Sequence, residues 1–439
     1  MVTAPESETT SRAPEVAEVP SRSRAYAIYA LGLLAVIYLL NAMDQSILSS
    51  VASSIQAEFG LSDTQVGLAA SVFVVVGALA LIPSGYLADR GSRRTIIGVG
   101  VLVWSLATLF SGVARSFPQL IASRAVLGIG ESSYDPAANS LVGDFFSKGA
   151  RGRAVAVLRA SFGIGISAGF IVGGVVAMKF GWRYAFYVAA APGVLFAILA
   201  FLLREPLRGA AEARGPKLRS ARDAGLRQFG RLLRIRTLRA SIAALTLVFV
   251  VTGGAVAFLP LYVHRQLGVD VAQAGALLGI PLLVGIPAGT LVGGWLVDWR
   301  SRRTPRAHLE IAMAGLVVGA AGFAVMYSAG SLPVFTAALL VNVFLLGMVA
   351  PTFQALNQNI VVPSLRASAQ ALALMCAFLV GSGLAPIAVG MLSDRLHSLQ
   401  LAFLLLAPTA MLLSAACAAY GLRSAAGDIA AMEESWASR

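Results

Sequence analysis

Arg124, Glu131 and Asp135 lie in one apolar stretch, RAVLGIGESSYDPAANSLVGDFF, which runs from Arg124 to Phe146. At about 100° per residue, Glu131 stands about 20° to one side of Arg124 and Asp135 about 20° to the other, so the three share a helix face. Asp44, in LLNAMDQSIL, adds a carboxyl from an earlier stretch. An ionised group near a bilayer centre costs roughly 2.5–3.5 kcal/mol on insertion scales, so these groups are expected to face a cavity or one another. Counting about 1.5 Å per residue from the expected helix ends puts Asp44 and Arg124 both roughly 8–9 Å below the outer surface, where they could pair. Such a set can exchange protons. Asp44 stays ionised while Arg124 is near and takes up a proton once desolvation replaces that partner. Glu131, two turns deeper, would carry either the substrate's polar head or a second proton. The alternative is a permanent structural ion pair. Arg159, on the next helix, lies close enough to a helix end to snorkel.

The elements that must hold these groups are membrane helices. Of 439 residues, 57% are hydrophobic and 13% charged, and the mean hydropathy is +0.78. That leaves too little polar surface for a water-soluble globule. A spanning helix needs about 20 mostly apolar residues. Runs of that kind are read at 26–50, 64–88, 95–114, 119–145, 153–179, 183–203, 240–263, 271–297, 307–328, 332–360, 367–393 and 398–420. The expected fold is therefore an all-α integral membrane protein of twelve transmembrane helices.

The formal charge of +13 lies in connectors and not along a stripe, which speaks against a nucleic-acid partner. Lys and Arg concentrate in the tails and even-numbered connectors. The odd connectors hold only Arg115, Lys179, Arg183, Arg265 and Arg395. Positively charged loops stay on the cytoplasmic side, so both termini are expected there, in the inner membrane. Residues 1–24 read as a disordered cytoplasmic tail with no cleaved leader, and 423–439 as a second cytoplasmic tail. Residues 204–239 form a basic cytoplasmic linker with Leu218, Arg222, Leu226, Phe229 and Leu233 at helical spacing, as in a segment lying on anionic headgroups.

GYLADRGSRRT at 85–95 and GWLVDWRSRRT at 294–304 share Gly, Leu, Asp, Ser, Arg, Arg and Thr. The repeat marks a duplication: two pseudo-symmetric six-helix bundles, 25–203 and 240–422, with the site expected between them near the midplane. Each copy would act as a gate latch. Gly85 would let helices approach, Asp89 would cap a helix or pair across the halves, and Arg90, Arg93 and Arg94 would anchor at headgroups. Asp298, Arg302 and Arg303 are their counterparts; Trp299 and Arg300 depart from the first copy. The alternative is that these arginines only set topology.

At this point the chain resembles the major facilitator superfamily over residues 25–422. The first copy is similar to that superfamily's loop signature, with Ser92 in place of the usual second Gly. GISAGFIVGG at 165–174 resembles its antiporter signature, with Phe170 where Pro is expected, which leaves the direction of coupling open. Gly165, Gly169, Gly173 and Gly174 read as helix-packing positions. The embedded GISAG follows no strand and has no nearby histidine, so Ser167 is not read as a nucleophile. Within the superfamily, Asn41, Met43 and Asp44, the FGLSDTQVGL connector, the GESSY block Gly130–Tyr134 after Arg124, and Arg204–Pro206 resemble the Spinster family of lipid transporters. Gln45 and Leu127 depart from the common pattern. The resemblance implies lysophospholipid-like or sphingosine-phosphate-like cargo, proton dependence, and a central site with Asp44, Arg124 and Glu131. Tyr134 and Asp135 extend the expected substrate-binding set.

From Ala240 to Leu422 no charged residue falls near a predicted helix midpoint, so one wall of the site is charged and the other apolar, as suits an amphipathic cargo. Cys376 and Cys417 read as small buried hydrophobes, and His264, His308 and His397 have no metal-ligand spacing. No metal or cofactor is expected. The expected function is a proton-coupled secondary transporter of an amphipathic lipid-like or organic substrate, working as a monomer by alternating access. The alternatives are a multidrug or organic-anion proton antiporter of the same superfamily and, from another class, a non-transporting receptor or lipid scramblase. A membrane enzyme is disfavoured because no nucleophile with a base is legible.

Overall fold

The computed structural model describes residues 24–206, 230, 232–362 and 365–437. The tail expectation for 1–23 and the amphipathic expectation for 207–229 lie outside the described residues. Apolar runs long enough to cross a bilayer satisfy their backbone groups internally as helices. The first half contains α1 (Arg24–Ser50), α2 (Ala52–Phe59), α3 (Asp63–Arg90), α4 (Arg93–Val113), α5 (Phe117–Ser132), α6 (Tyr134–Phe145), α7 (Lys148–Phe180) and α8 (Trp182–Phe201). The second contains α9 (Arg236–Leu267), α10 (Val271–Ser301), α11 (Ala307–Ser328), α12 (Leu332–Asn359), α13 (Arg366–Cys376), α14 (Gly383–Leu396) and α15 (Leu399–Ala437), with a π-helical segment (Ala377–Ser382) joining α13 to α14.

Eleven helices among the described residues are long and apolar enough to cross a membrane. The remaining predicted run, 119–145, is divided at Ser133 into α5 and α6. Pro136 accounts for the break: it has no N–H to give the carbonyl of residue 132, and its ring crowds that carbonyl. A short helix not foreseen, α2, ends at Gly60 in the left-handed conformation, φ 62°. The last helix continues through the predicted tail to Ala437.

Within the first half α1 packs on α7, α4 on α8, and α5 on both α3 and α4. In the second, α15 packs on α9 and α11, and α12 on α10 and α11. The halves meet along two seams, α3 with α14 and α7 with α10. Both seams are built on glycine. A Cβ at Gly67 would collide with the Pro386 carbonyl, one at Gly390 with the Asp63 carbonyl, and one at Gly275 with the Phe170 carbonyl. Backbones therefore touch where side chains would hold them apart. One apolar core runs from Met43 and Ile47 of α1 and the adjoining Val51 into Leu245, Val248 and Phe258 of α9. A separate core of the first half alone contains Leu34, Tyr38, Trp104, Tyr134 and Leu141.

Candidate transport site and gates

Gly128 of α5 lies against Phe73 and Gly77 of α3, and Gly130 against Trp104 of α4, so α5 is wedged between two helices. The wedge directs Arg124 and Glu131 into the protein, and Arg124 is 1% exposed and Glu131 8%. From α1, Asp44 is buried beside them. Arg124 lies within electrostatic reach of both Asp44 and Glu131. The expected hydrogen-bonded pair between Asp44 and Arg124 is not formed in this conformation. Asp44 turns instead to α4, where the Thr108 hydroxyl donates to its Oδ2 at 2.8 Å. Gln45 donates to Glu131 Oε2 at 2.9 Å and to Asn41 Oδ1 at 3.1 Å. Asp44 Oδ1, Glu131 Oε1 and Arg124 Nε and Nη1 are buried without partners. The Arg124 guanidinium lies 5.1 Å from the Phe73 ring centroid. Buried charges short of partners are costly, so the arrangement leaves capacity for further hydrogen bonds on all three groups. Thr108 and Gln45 were not foreseen as members; WSLATLF carries no charge to draw attention to Thr108.

Asp135 does not join that centre. Beyond the break it pairs with Arg159 at 3.6 Å and accepts from the Tyr38 hydroxyl at 3.1 Å. Tyr134, expected as a substrate contact, is built into the scaffold of the first half in this conformation. Its hydroxyl donates to the Leu34 carbonyl at 2.6 Å, and its buried ring stacks on Tyr38.

One end of the molecule holds the halves together. Asp394 of α14 accepts from the Asp63 and Thr64 amides at 3.0 and 2.9 Å and from the Thr64 hydroxyl at 2.6 Å. A carboxylate of one half thus satisfies first-turn N–H groups of α3 in the other, the role of a helix cap played in trans. Arg265 clamps Asp63 with Nη1 at 2.9 Å and Nη2 at 2.8 Å, and Ser393 donates to Asp63 at 2.6 Å. Gln56 donates to Asp63 at 2.7 Å and accepts from Arg265. A vestibule of about 510 Å³ opens beside these residues, lined also by His397. Sequence reading missed this clasp, having noted Arg265 only as one of few basic residues on its side.

The repeated motif lies at the opposite end. The close approach expected at Gly85 is not made there: a Cβ at Gly85, or at Gly294 in the second copy, would meet nothing within 4 Å. Neither glycine is therefore a contact point in this conformation. Arg93 is not a headgroup anchor either, because it is fully buried. It pairs with Asp144 and with Glu205, the latter at 2.7 Å, and donates to Ser140 Oγ at 3.0 Å and the Pro206 carbonyl at 2.9 Å. Burial pushes the Glu205 carboxyl up, but hydrogen bonds from Arg93 and Ser92 outweigh it and hold the group below the usual carboxylate range. Arg94 donates to the Leu203 carbonyl, and Arg90 lies over the Tyr86 ring. The side chain of Asp89 lies outside the described set. In the second copy, Asp298 and Arg302 are exposed, Arg303 lies over Trp299, and Arg300 takes the ion pair, with Glu310.

Three of the four glycines read as packing positions lie against α1. Gly165 meets Leu39 and Ala42, Gly169 meets Met43 and Ser46, and Gly173 meets Ile47 and Ser50, all on α1; Gly174 is buried. Ser167 donates to the Gly163 carbonyl at 3.2 Å within its own helix. Among the described residues no cluster of His, Cys, Asp and Glu could hold a metal.

Comparison with known proteins agrees with this architecture. The family model described as Major Facilitator Superfamily matches residues 34–382. The chain is 30% identical over 404 residues to protein spinster homolog 3 of Danio rerio, covering 87% of this chain and 80% of that one. It is 30% identical over 377 residues to the sphingosine-1-phosphate transporter SPNS2 of Mus musculus, covering 82% and 68%. The crystal structure of a bacterial homolog of the human lysosomal transporter Spinster, in an inward-facing and unoccupied conformation, superposes with a TM-score of 0.80 at 25% identity, covering 92% of this chain and 98% of that one. Two helical halves, a charged centre in the first of them and these likenesses lead to one assignment: the chain is a multi-pass membrane transport protein, not an enzyme, and it belongs to the Major Facilitator Superfamily and within it to the Spinster family.

Proposed function

We propose that this chain carries an amphipathic lipid-like or organic substrate across the inner membrane by alternating access, coupled to protons through Asp44, Arg124 and Glu131. One observation carries the reading: three ionisable groups are walled off together with unpartnered N and O atoms on each of them. A permanent structural ion pair would be expected to close its hydrogen bonds, since leaving a buried charge uncompensated costs about 3–5 kcal/mol. A switching centre must instead be able to exchange partners. Asp44 leaves Thr108 for Arg124 or for a proton as the halves rock, and Glu131 follows.

The sidedness rule supports cytoplasmic termini, which puts the Arg93 end inside and the Asp394 clasp outside. On that orientation the conformation is closed outward and open inward. The relatives' printed names include a sphingosine-1-phosphate transporter, a cargo with a charged head and an apolar tail. That supports a charged first half facing an apolar second.

Purified protein in liposomes with an imposed pH gradient tests the reading, with labelled lysolipids set against sugars, organic acids and drugs. Uptake of an amphiphile should follow the gradient, and Asp44→Asn should leave well-folded protein without gradient-driven flux. Flux indifferent to pH would instead mark a scramblase, and binding without flux a receptor.

A further inference from the structure

Arg159 is a charged residue within a membrane-crossing helix, yet its side chain is 55% exposed. Its direction can be fixed from its own helix. At about 100° per residue, Arg159, Gly163, Ser167 and Phe170 of α7 fall within about 80° of one another. The Phe170 and Ser167 carbonyls are the points at which α7 meets Gly275 and Gly279 of α10 in the other half. Arg159 therefore continues, toward the end that holds the repeated motif, the stripe of α7 that meets the other half at Ser167 and Phe170. An exposed guanidinium there looks into water and not at lipid, as the cost of a charge in hydrocarbon requires.

The guanidinium is under-used. It donates one hydrogen bond, from Nη1 to the Tyr38 hydroxyl oxygen at 2.6 Å, and lies 5.6 Å from that ring's centroid. Its carboxylate neighbour Asp135 stands at 3.6 Å, outside hydrogen-bond distance, and is itself 44% exposed. Asp135 has other donors: the Tyr38 hydroxyl at 3.1 Å and the Asn139 amide at 3.4 Å. Tyr38 is fixed by stacking on Tyr134 and packing on Phe162, both with ring centroids 4.9 Å away. The cluster is thus a rigid aromatic floor carrying a guanidinium with donors to spare and a counter-ion that can step back.

We propose that Arg159, positioned by Tyr38, is the subsite that receives the anionic group of the cargo, a carboxylate or a phosphate, and that Asp135 is the counter-ion for which that group is exchanged. The exchange trades one negative charge for another at the guanidinium, so its net gain comes from geometry. A carboxylate or phosphate free to approach can take two parallel N–H bonds from arginine, whereas Asp135, held at 3.6 Å, takes none. The Asp44, Arg124 and Glu131 centre lies deeper and would not touch that group. The subsite rests on the reading of this chain as a carrier of amphiphiles between its halves.

The test is binding by the full-length protein in nanodiscs, with dodecyl phosphate, the uncharged monododecanoylglycerol and inorganic phosphate as probes. Wild type should bind dodecyl phosphate. Arg159→Gln should weaken that binding at least tenfold while the uncharged probe is unaffected, and Arg159→Lys should fall between. Asp135→Asn should tighten dodecyl phosphate severalfold by removing the competitor. A purely structural ion pair predicts a different pattern, in which both neutralising variants lower the melting temperature and disturb the two amphiphiles alike. Dodecyl phosphate bound equally by wild type and Arg159→Gln, or weakened as much by Asp135→Asn, overturns the subsite and leaves the carrier reading standing. Inorganic phosphate held through Arg159 with no amphiphile bound keeps the subsite and sinks the amphiphile reading. Wild type that binds none of the three sinks both.

Discussion

The two ends of this molecule are built on opposite plans. At the Asp394 end, polar groups reach across from one half to the other: Asp394 to Asp63 and Thr64, Arg265 to Asp63 and Gln56, Ser393 to Asp63. At the Arg93 end, the polar groups close on their own half. Arg93, at the start of α4, joins Asp144 near the end of α6 and Glu205 beyond the end of α8, all within the first half. These hydrogen bonds between described residues of the two halves all belong to the first end. A rocking carrier needs both kinds of bond. Bonds within a half make it move as one body, and bonds between halves set which side is shut.

The comparison is broken most severely at Arg93. Replacing it with Ala leaves Asp144 and Glu205 without their shared cation, and removing one partner of a buried pair costs about 3–5 kcal/mol. The first half should lose stability as a unit, read as a lower melting temperature and earlier proteolysis of the first half than of the second. A melting temperature equal to wild type would show that the network does not brace the half. Gly67→Val comes next. Its added carbons would strike the backbone of Pro386, which has no side-chain freedom to yield, and overpacking of this kind costs about 1–3 kcal/mol. Because the collision exists only while the Asp394 end is shut, the penalty falls on one conformation. Spin-label distances between α3 and α14 should lengthen at that end, with the fold intact.

How much of this was legible in advance follows from where charge is expensive. Asp44, Arg124 and Glu131 were readable because a charge inside an apolar run demands a reason. The break at Ser133 was written in Pro136 and passed over in favour of an unbroken apolar run. Asp63, Arg265 and Asp394 gave no such signal, since charged residues at helix ends are ordinary, and their partners lie 202 and 331 residues away in the chain. Arg159 lay between the two cases, deep enough to be noticed and shallow enough to be read as snorkelling. The motif was legible as a repeat, but its local letters could not say that only the first copy has Asp144 and Glu205 waiting for its arginine.

Asp394→Ala removes the trans cap. Loss of a capping acceptor costs about 0.5–2 kcal/mol, so the population open at that end should rise about two- to thirtyfold. Cysteines placed beside Gln56 or His397 should label faster with a water-soluble maleimide. Unchanged labelling would mean that Arg265 and Asp63 hold the clasp alone.

The smallest effect belongs to the second copy of the motif, and it sharpens the comparison by being small. Arg302 stands where Arg93 stands in the first copy, yet it is exposed, and its side chain makes no hydrogen bond among the described residues. Surface substitutions of this kind change stability by less than about 0.5 kcal/mol. Arg302→Gln should therefore leave the melting temperature within a degree or two of wild type, while Arg93→Gln in a parallel sample lowers it clearly. Equal losses in the two variants would mean that the duplicated arginines act alike after all, through a conformation in which the second copy is also enclosed. That would move the asymmetry between the copies from the folded scaffold to the one state seen here.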